Sequence, residues 1–131
     1  MTSDTIDMGS YTLQPNADSG PEVRQALARI RAKNTEQLAA IERANQGLLR
    51  LVDVMRHQTG QGYKLRGLLY SLWNGQPTSL LEIVTLDYEL RKDLLAVLLV
   101  FGNNRFFYDQ LDAPIKAAGL FDWFCEAEVK A

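Results

Sequence analysis

Leu94 to Phe101 reads LLAVLLVF, eight consecutive residues without a polar side chain. A helix that is apolar on every side has to be buried on every side, so the pattern predicts a central helix over residues 88–101 with the other helices packed around it. Even counted from Leu90 the segment falls far short of the ~20 apolar residues that cross a bilayer. It is a core element, and it sets the expected fold class: all-α, a small helical bundle around a buried helix 88–101. Glu89, Arg91, Lys92 and Asp93 solvate the outer turns at its start, and Gly102, Asn103 and Asn104 stop it, because both residue types tolerate positive φ.

Upstream lies a long amphipathic helix. Pro21 suits a first helical turn and Glu22 suits its electropositive end. At 100° per residue, Val23, Leu27, Ile30, Leu38, Ile41, Leu48, Val52 and Met55 fall within about 50° of one direction. This reads as one helix or two nearly collinear ones, with a bend expected at Asn45, Gln46 and Gly47, where glycine costs about 1 kcal/mol relative to alanine. In heptads, Asn34 occupies an a position between Leu27 and Ile41, the device that fixes register in two-stranded coiled coils, while Gln37 and Ala44 are poor d residues. The stripe therefore has two readings: a dimer seam, or a face packed on its own chain. Val23, Leu27, Ile30, Asn34, Leu38 and Ile41 are its candidate interface residues.

Arg56, His57 and Gly60 close this helix, with the lone histidine read as a cap on the negative helix end. Leu65, Leu68, Leu69, Leu72 and Trp73 give the next helix, about 62–74, one buried face. Gly75 and Pro77 end it, and Ser79 with Glu82 forms a capping-box pattern ahead of Leu80. Six of the twelve aromatic residues lie beyond Asn104: Phe106, Phe107, Tyr108, Phe121, Trp123 and Phe124. Asp112 is expected to cap a short helix there, and a last one is expected over 122–128. These aromatics suit either a core or an interface; Phe121, Trp123 and Phe124 join the candidate interface set. No segment reads as a strand.

A chain of 131 residues is one ordinary domain. Residues 1–20 hold too few apolar side chains to offset ordering entropy and are expected to form an unstructured tail. Residues 21–131 form the expected helical domain, with 21–46 protruding or coiled-coil and 47–128 compact. Neither a secretion signal nor a transmembrane run is seen, so the chain reads as cytoplasmic and without a membrane partner.

The residue types argue against catalysis. One histidine and one cysteine, Cys125, provide no nucleophile–base pair and no zinc set, and no phosphate-binding glycine motif occurs. Glu82, Asp87, Glu89 and Asp93 are better explained as caps and a solvated helix face than as cation ligands. The expectation is no catalytic residues, no cofactor and no metal. Net charge is −2, but residues 21–66 carry +5 and residues 67–131 carry −4. Within the basic part, Arg24, Arg29, Arg31 and Lys33 are the candidate nucleic-acid contacts. On a helical wheel Arg24 and Arg31 share a side while Arg29 and Lys33 lie nearly opposite, which is not a single phosphate-tracking stripe.

Thr59-Gly60-Gln61, Leu68-Leu69, Trp73-Asn74-Gly75, Leu86-Asp87 and Asp93 with Ala96-Val97 together resemble a family of uncharacterised small proteins of proteobacterial plasmids and phages. The resemblance spans roughly residues 48–101 and carries no catalytic residues with it. It implies an accessory protein of a mobile element that binds a host or phage macromolecule. The expected function is thus a non-enzymatic protein-interaction module, self-association included, with a nucleic-acid-binding regulator as the alternative.

Overall fold

The computed structural model describes residues 6–8, 11–13 and 20–127. Their order is β1 (Ile6–Met8), β2 (Tyr11–Leu13), α1 (Gly20–Arg56), α2 (Gly60–Asn74), α3 (Leu80–Val84), α4 (Tyr88–Val100), α5 (Tyr108–Ala117) and α6 (Phe121–Cys125). The domain is all-α apart from the short strand pair, and the chain divides into two compact units, residues 1–38 and 39–131, with the boundary inside α1.

In the first unit β1 and β2 pair antiparallel, with Ile6 opposite Leu13 and Met8 opposite Tyr11. This corrects the expectation that no strand forms. The signal is short: Ile6-Asp7-Met8 and Tyr11-Thr12-Leu13 each alternate apolar and polar residues and stand two residues apart, the spacing of a tight hairpin. Gly20, the last residue of the expected tail, opens α1, and the remainder of residues 1–19 lies outside the described residues. Along α1 in this unit Leu27 is buried, Val23 is half-buried, and Ile30 and Leu38 are exposed.

The second unit holds the core. Ile41, Ala44, Leu48, Leu51, Val52 and Met55 of α1 recur every three or four residues and are all buried, the stripe an amphipathic helix turns inward. Leu65, Leu68 and Leu69 of α2, Leu94 and Val97 of α4, Leu111 and Ile115 of α5, and Phe124 of α6 belong to the same cluster.

Helix α1 runs without interruption through Asn45–Gly47, so it is one helix rather than two. The glycine serves a close approach instead. A Cβ on Gly47 would lie 3.2 Å from both the Cβ and the carbonyl oxygen of Asp93 on α4. Three residues on, Arg50 grips the same Asp93 with two parallel bonds, Nε to Oδ2 at 2.9 Å and Nη2 to Oδ1 at 2.8 Å. Asp93 is buried while Arg50 reaches out to solvent, and the bond and charge of Asp93 raise the Arg50 pKa above its ordinary value. The fork keeps a buried carboxylate paired and sets α1 against α4.

Caps follow the sequence in part: Gly60, expected to close α1, opens α2, and the Ser79 hydroxyl pairs with Leu81 rather than with Glu82. The Thr59 hydroxyl accepts from the Gly62 N–H at 3.2 Å, and the Gly75 N–H reaches the Ser71 carbonyl from a left-handed conformation. The Ser79 hydroxyl accepts from the Leu81 N–H at 3.2 Å. His57 Nδ1 lies 2.8 Å from the Asp53 carbonyl, to which it donates at the end of α1. Helix α5 departs from expectation. It begins at Tyr108, where the Gln110 side chain accepts from the Phe107 N–H at 2.8 Å. Asp112 is therefore inside the helix rather than capping it; it is buried and accepts from Trp73 Nε1 at 3.2 Å. Of the expected last helix, Phe121–Cys125 is helical and Glu128 lies outside the described residues.

Helix α4 brings the main correction. Leu94, Val97 and Val100 are buried, but Leu95, Leu98 and Leu99 are exposed. The apolar run is not surrounded. Its neighbours cover one side, and the side opposite has no covering element of this unit.

Candidate interaction surface

Taking Leu95 as the zero of a helical wheel, Tyr88, Leu95 and Leu99 lie within about 40° of one another and Lys92 and Leu98 flank them. All five are exposed, Leu99 at 73% and Tyr88 at 68%. The buried residues Asp93, Leu94, Val97 and Val100 occupy the opposite arc. The sequence folds this way because both arcs of the second half of α4 are apolar and Asp93 is the residue that Arg50 captures, so its side of the helix turns inward.

Helix α3 adds to the exposed face. None of its five residues is buried; Leu80 is 76% and Leu81 65% exposed, with Val84 beside them. Ile83 turns the other way. Together with Leu68 and Leu72 of α2 and Leu94 and Leu98 of α4, it lines an open apolar groove of about 280 Å³. The groove lies between α3 and α4, with Ile83 on one wall and the exposed Leu98 on the other. At the far end of α4, Phe101 packs on Phe107 at 5.3 Å and Tyr108 at 5.6 Å between ring centroids, and the latter two rings stand 4.1 Å apart, both exposed.

The candidate interface residues read from the sequence separate into two groups. Val23, Ile30, Asn34 and Leu38 are at least partly accessible on α1. Leu27 and Ile41 are buried, so as the chain stands they are not contact residues. Phe124 is fully buried and leaves the interface set for the core. Phe121 and Trp123 are half-buried in the same aromatic cluster: Phe121 and Phe124 meet Trp73 edge-on at 5.7 and 5.9 Å, and Trp123 lies 5.6 Å from Tyr63. Arg66, itself buried, lies over the Tyr63 and Trp123 rings at 5.1 and 4.7 Å and donates Nη1 to the Trp123 carbonyl. Aromatic and cation–π contacts of this kind anchor α6 to α2. The surface that sequence reasoning missed is the outer face of α3 and α4. Its one signal was that both arcs of α4 are apolar, which periodicity alone assigns to burial.

Arg24, Arg29, Arg31 and Lys33 are all exposed on α1. Among the described residues, no group of three His, Cys, Asp or Glu side chains is placed to hold a metal ion, and no helix is long and apolar enough to cross a membrane.

A model for a family of unknown function, DUF7673, matches residues 45–118. The chain belongs to the DUF7673 family. The region shared with DUF7673 begins within the buried half of α1 and ends at the close of α5. It contains the Arg50–Asp93 fork and the whole outer face of α3 and α4, and it leaves out residues 20–44 of α1 and all of α6. No curated protein and no solved structure matches this DUF7673 chain.

Proposed function

We propose that the chain is a non-enzymatic protein-interaction module whose contact surface is the outer face of α3 and α4, acting by occlusion or scaffolding. One observation carries this reading. Of thirteen large hydrophobic residues exposed among the described residues, nine lie between Leu80 and Tyr108. Scattered exposed leucines are ordinary, whereas apolar side chains gathered on adjoining elements beside a groove mark a contact surface. The biological setting that goes with it, an accessory protein of a phage or plasmid engaging a host or phage macromolecule, rests on the resemblance over residues 48–101. A photo-crosslinking residue placed at Leu99 is expected to yield protein adducts in cells, and the same residue at Arg43, on the exposed side of α1, is expected to yield none. Equal labelling at the two positions, or none at Leu99, would refute this reading.

The alternative of a nucleic-acid-binding regulator is favoured by the exposure of all four cations at Arg24, Arg29, Arg31 and Lys33. It requires binding to mixed-sequence DNA that weakens steeply with salt; no binding at low ionic strength removes it.

A further inference from the structure

The interaction reading leaves the partner open, and the geometry of α4 narrows it. We propose that the partner is a second copy of this chain, the two α4 helices packing antiparallel about a two-fold axis between Leu95 and Leu99.

Area is the first argument. Weighted by side-chain size, the nine exposed hydrophobics from Leu80 to Tyr108, carried by α3, α4 and the start of α5, sum to on the order of 1,000 Å². One partner in a standard specific interface contributes about 800 Å². The summed exposure is of the size that one partner of a stable dimer contributes.

The second argument is that the face complements itself. A two-fold axis between Leu95 and Leu99 seats Leu95 of each copy against Leu99 of the other, and sets every residue before the axis beside one equally far beyond it. Lys92 then meets the C-terminal end of the other α4. That end carries no basic residue in its last turn, so the helix supplies no cation of its own to its negative pole. Lys92 is 61% exposed, 3.8 Å from Glu89 and 6.0 Å from the centroid of the Tyr88 ring, surface contacts weak enough to exchange. One turn earlier, Tyr88 comes opposite the Phe107 and Tyr108 rings of the other copy, where aromatic pairing is available. Leucine at the centre, cation against helix end and ring against rings are each satisfied twice by the same operation. The stripe of α1 residues 23–38 offers much less, since only Ile30 and Leu38 are large exposed hydrophobics there.

Two readings on the full chain test this. In sedimentation equilibrium at up to about 100 µM, the wild type is expected at twice the 14.8 kDa of one chain, and Leu95→Asp with Leu99→Asp at a single mass with unchanged helical circular dichroism. In a Cys125→Ser background, an equal mixture of Leu95→Cys and Leu99→Cys chains is expected to form Leu95–Leu99 disulfide-linked dimers on mild oxidation, since the two-fold axis seats these positions against each other, and Arg43→Cys to form none. A monomeric wild type overturns self-association while leaving the Leu99 adducts to decide whether the face binds another protein. A dimer that survives the double substitution and does not crosslink between Leu95 and Leu99 places the contact elsewhere and equally overturns it.

Discussion

Phe124 and Phe107 both belong to the aromatic C-terminal quarter, yet one is sealed in the core and the other is exposed. The sequence shows the residue type but not the side it faces. Phe124→Ala is expected to cost about 3–5 kcal/mol, because it empties a fully buried site, and Phe107→Ala to stay within about 0.5 kcal/mol; urea titrations measure both. The α1 stripe separates in the same way. Ile30→Asp is expected to leave the melting temperature nearly unchanged, whereas Ile41→Asp places a charge in the core and is expected to unfold much of the chain at room temperature. Gly47→Ala tests close packing against propensity. Alanine gains about 1 kcal/mol in helix preference, but its methyl meets Asp93 backbone at 3.2 Å and the backbone yields little. A net loss of about 1–2 kcal/mol is expected.

At the scale of elements, caps and periodicity were legible because they are local. Ser79 and Gly75 sit at the helix ends that their chemistry suggested, and the inward stripe of α1 from Ile41 to Met55 follows its spacing. What periodicity could not supply was the pairing between elements. Nothing in the sequence links Arg50 to a carboxylate 43 residues away, and Asp93 looked like one more solvating charge at the start of α4. Arg50→Met is expected to lower stability more than Arg50→Lys, since it leaves the buried Asp93 carboxylate without a cation, while lysine keeps the charge and loses the fork; thermal unfolding of the two variants decides the order. The same limit explains Asp112. An aspartate two residues before Pro114 reads as a helix start only if the chain upstream is not already helical, and the Gln110–Phe107 bond starts α5 earlier.

For the whole molecule, the sequence identified an all-α fold and its central apolar run but not how many neighbours that run would have. A fully apolar segment reads as buried on every side only if enough helices exist to surround it. Here α1 supplies one wall and α2, α5 and α6 pack with one another, so the outer arc of α4 is uncovered and α3, too short to bury a residue of its own, extends the exposed face. That uncovered leucine face is what the proposed self-association would bury. The most direct test is hydrogen exchange of the intact chain as it is diluted from high to low concentration. Protection in residues 80–100 is expected to fall on dilution, with residues 23–38 and the α6 segment unchanged. Loss confined to residues 23–38, or no concentration dependence anywhere, would contradict the account.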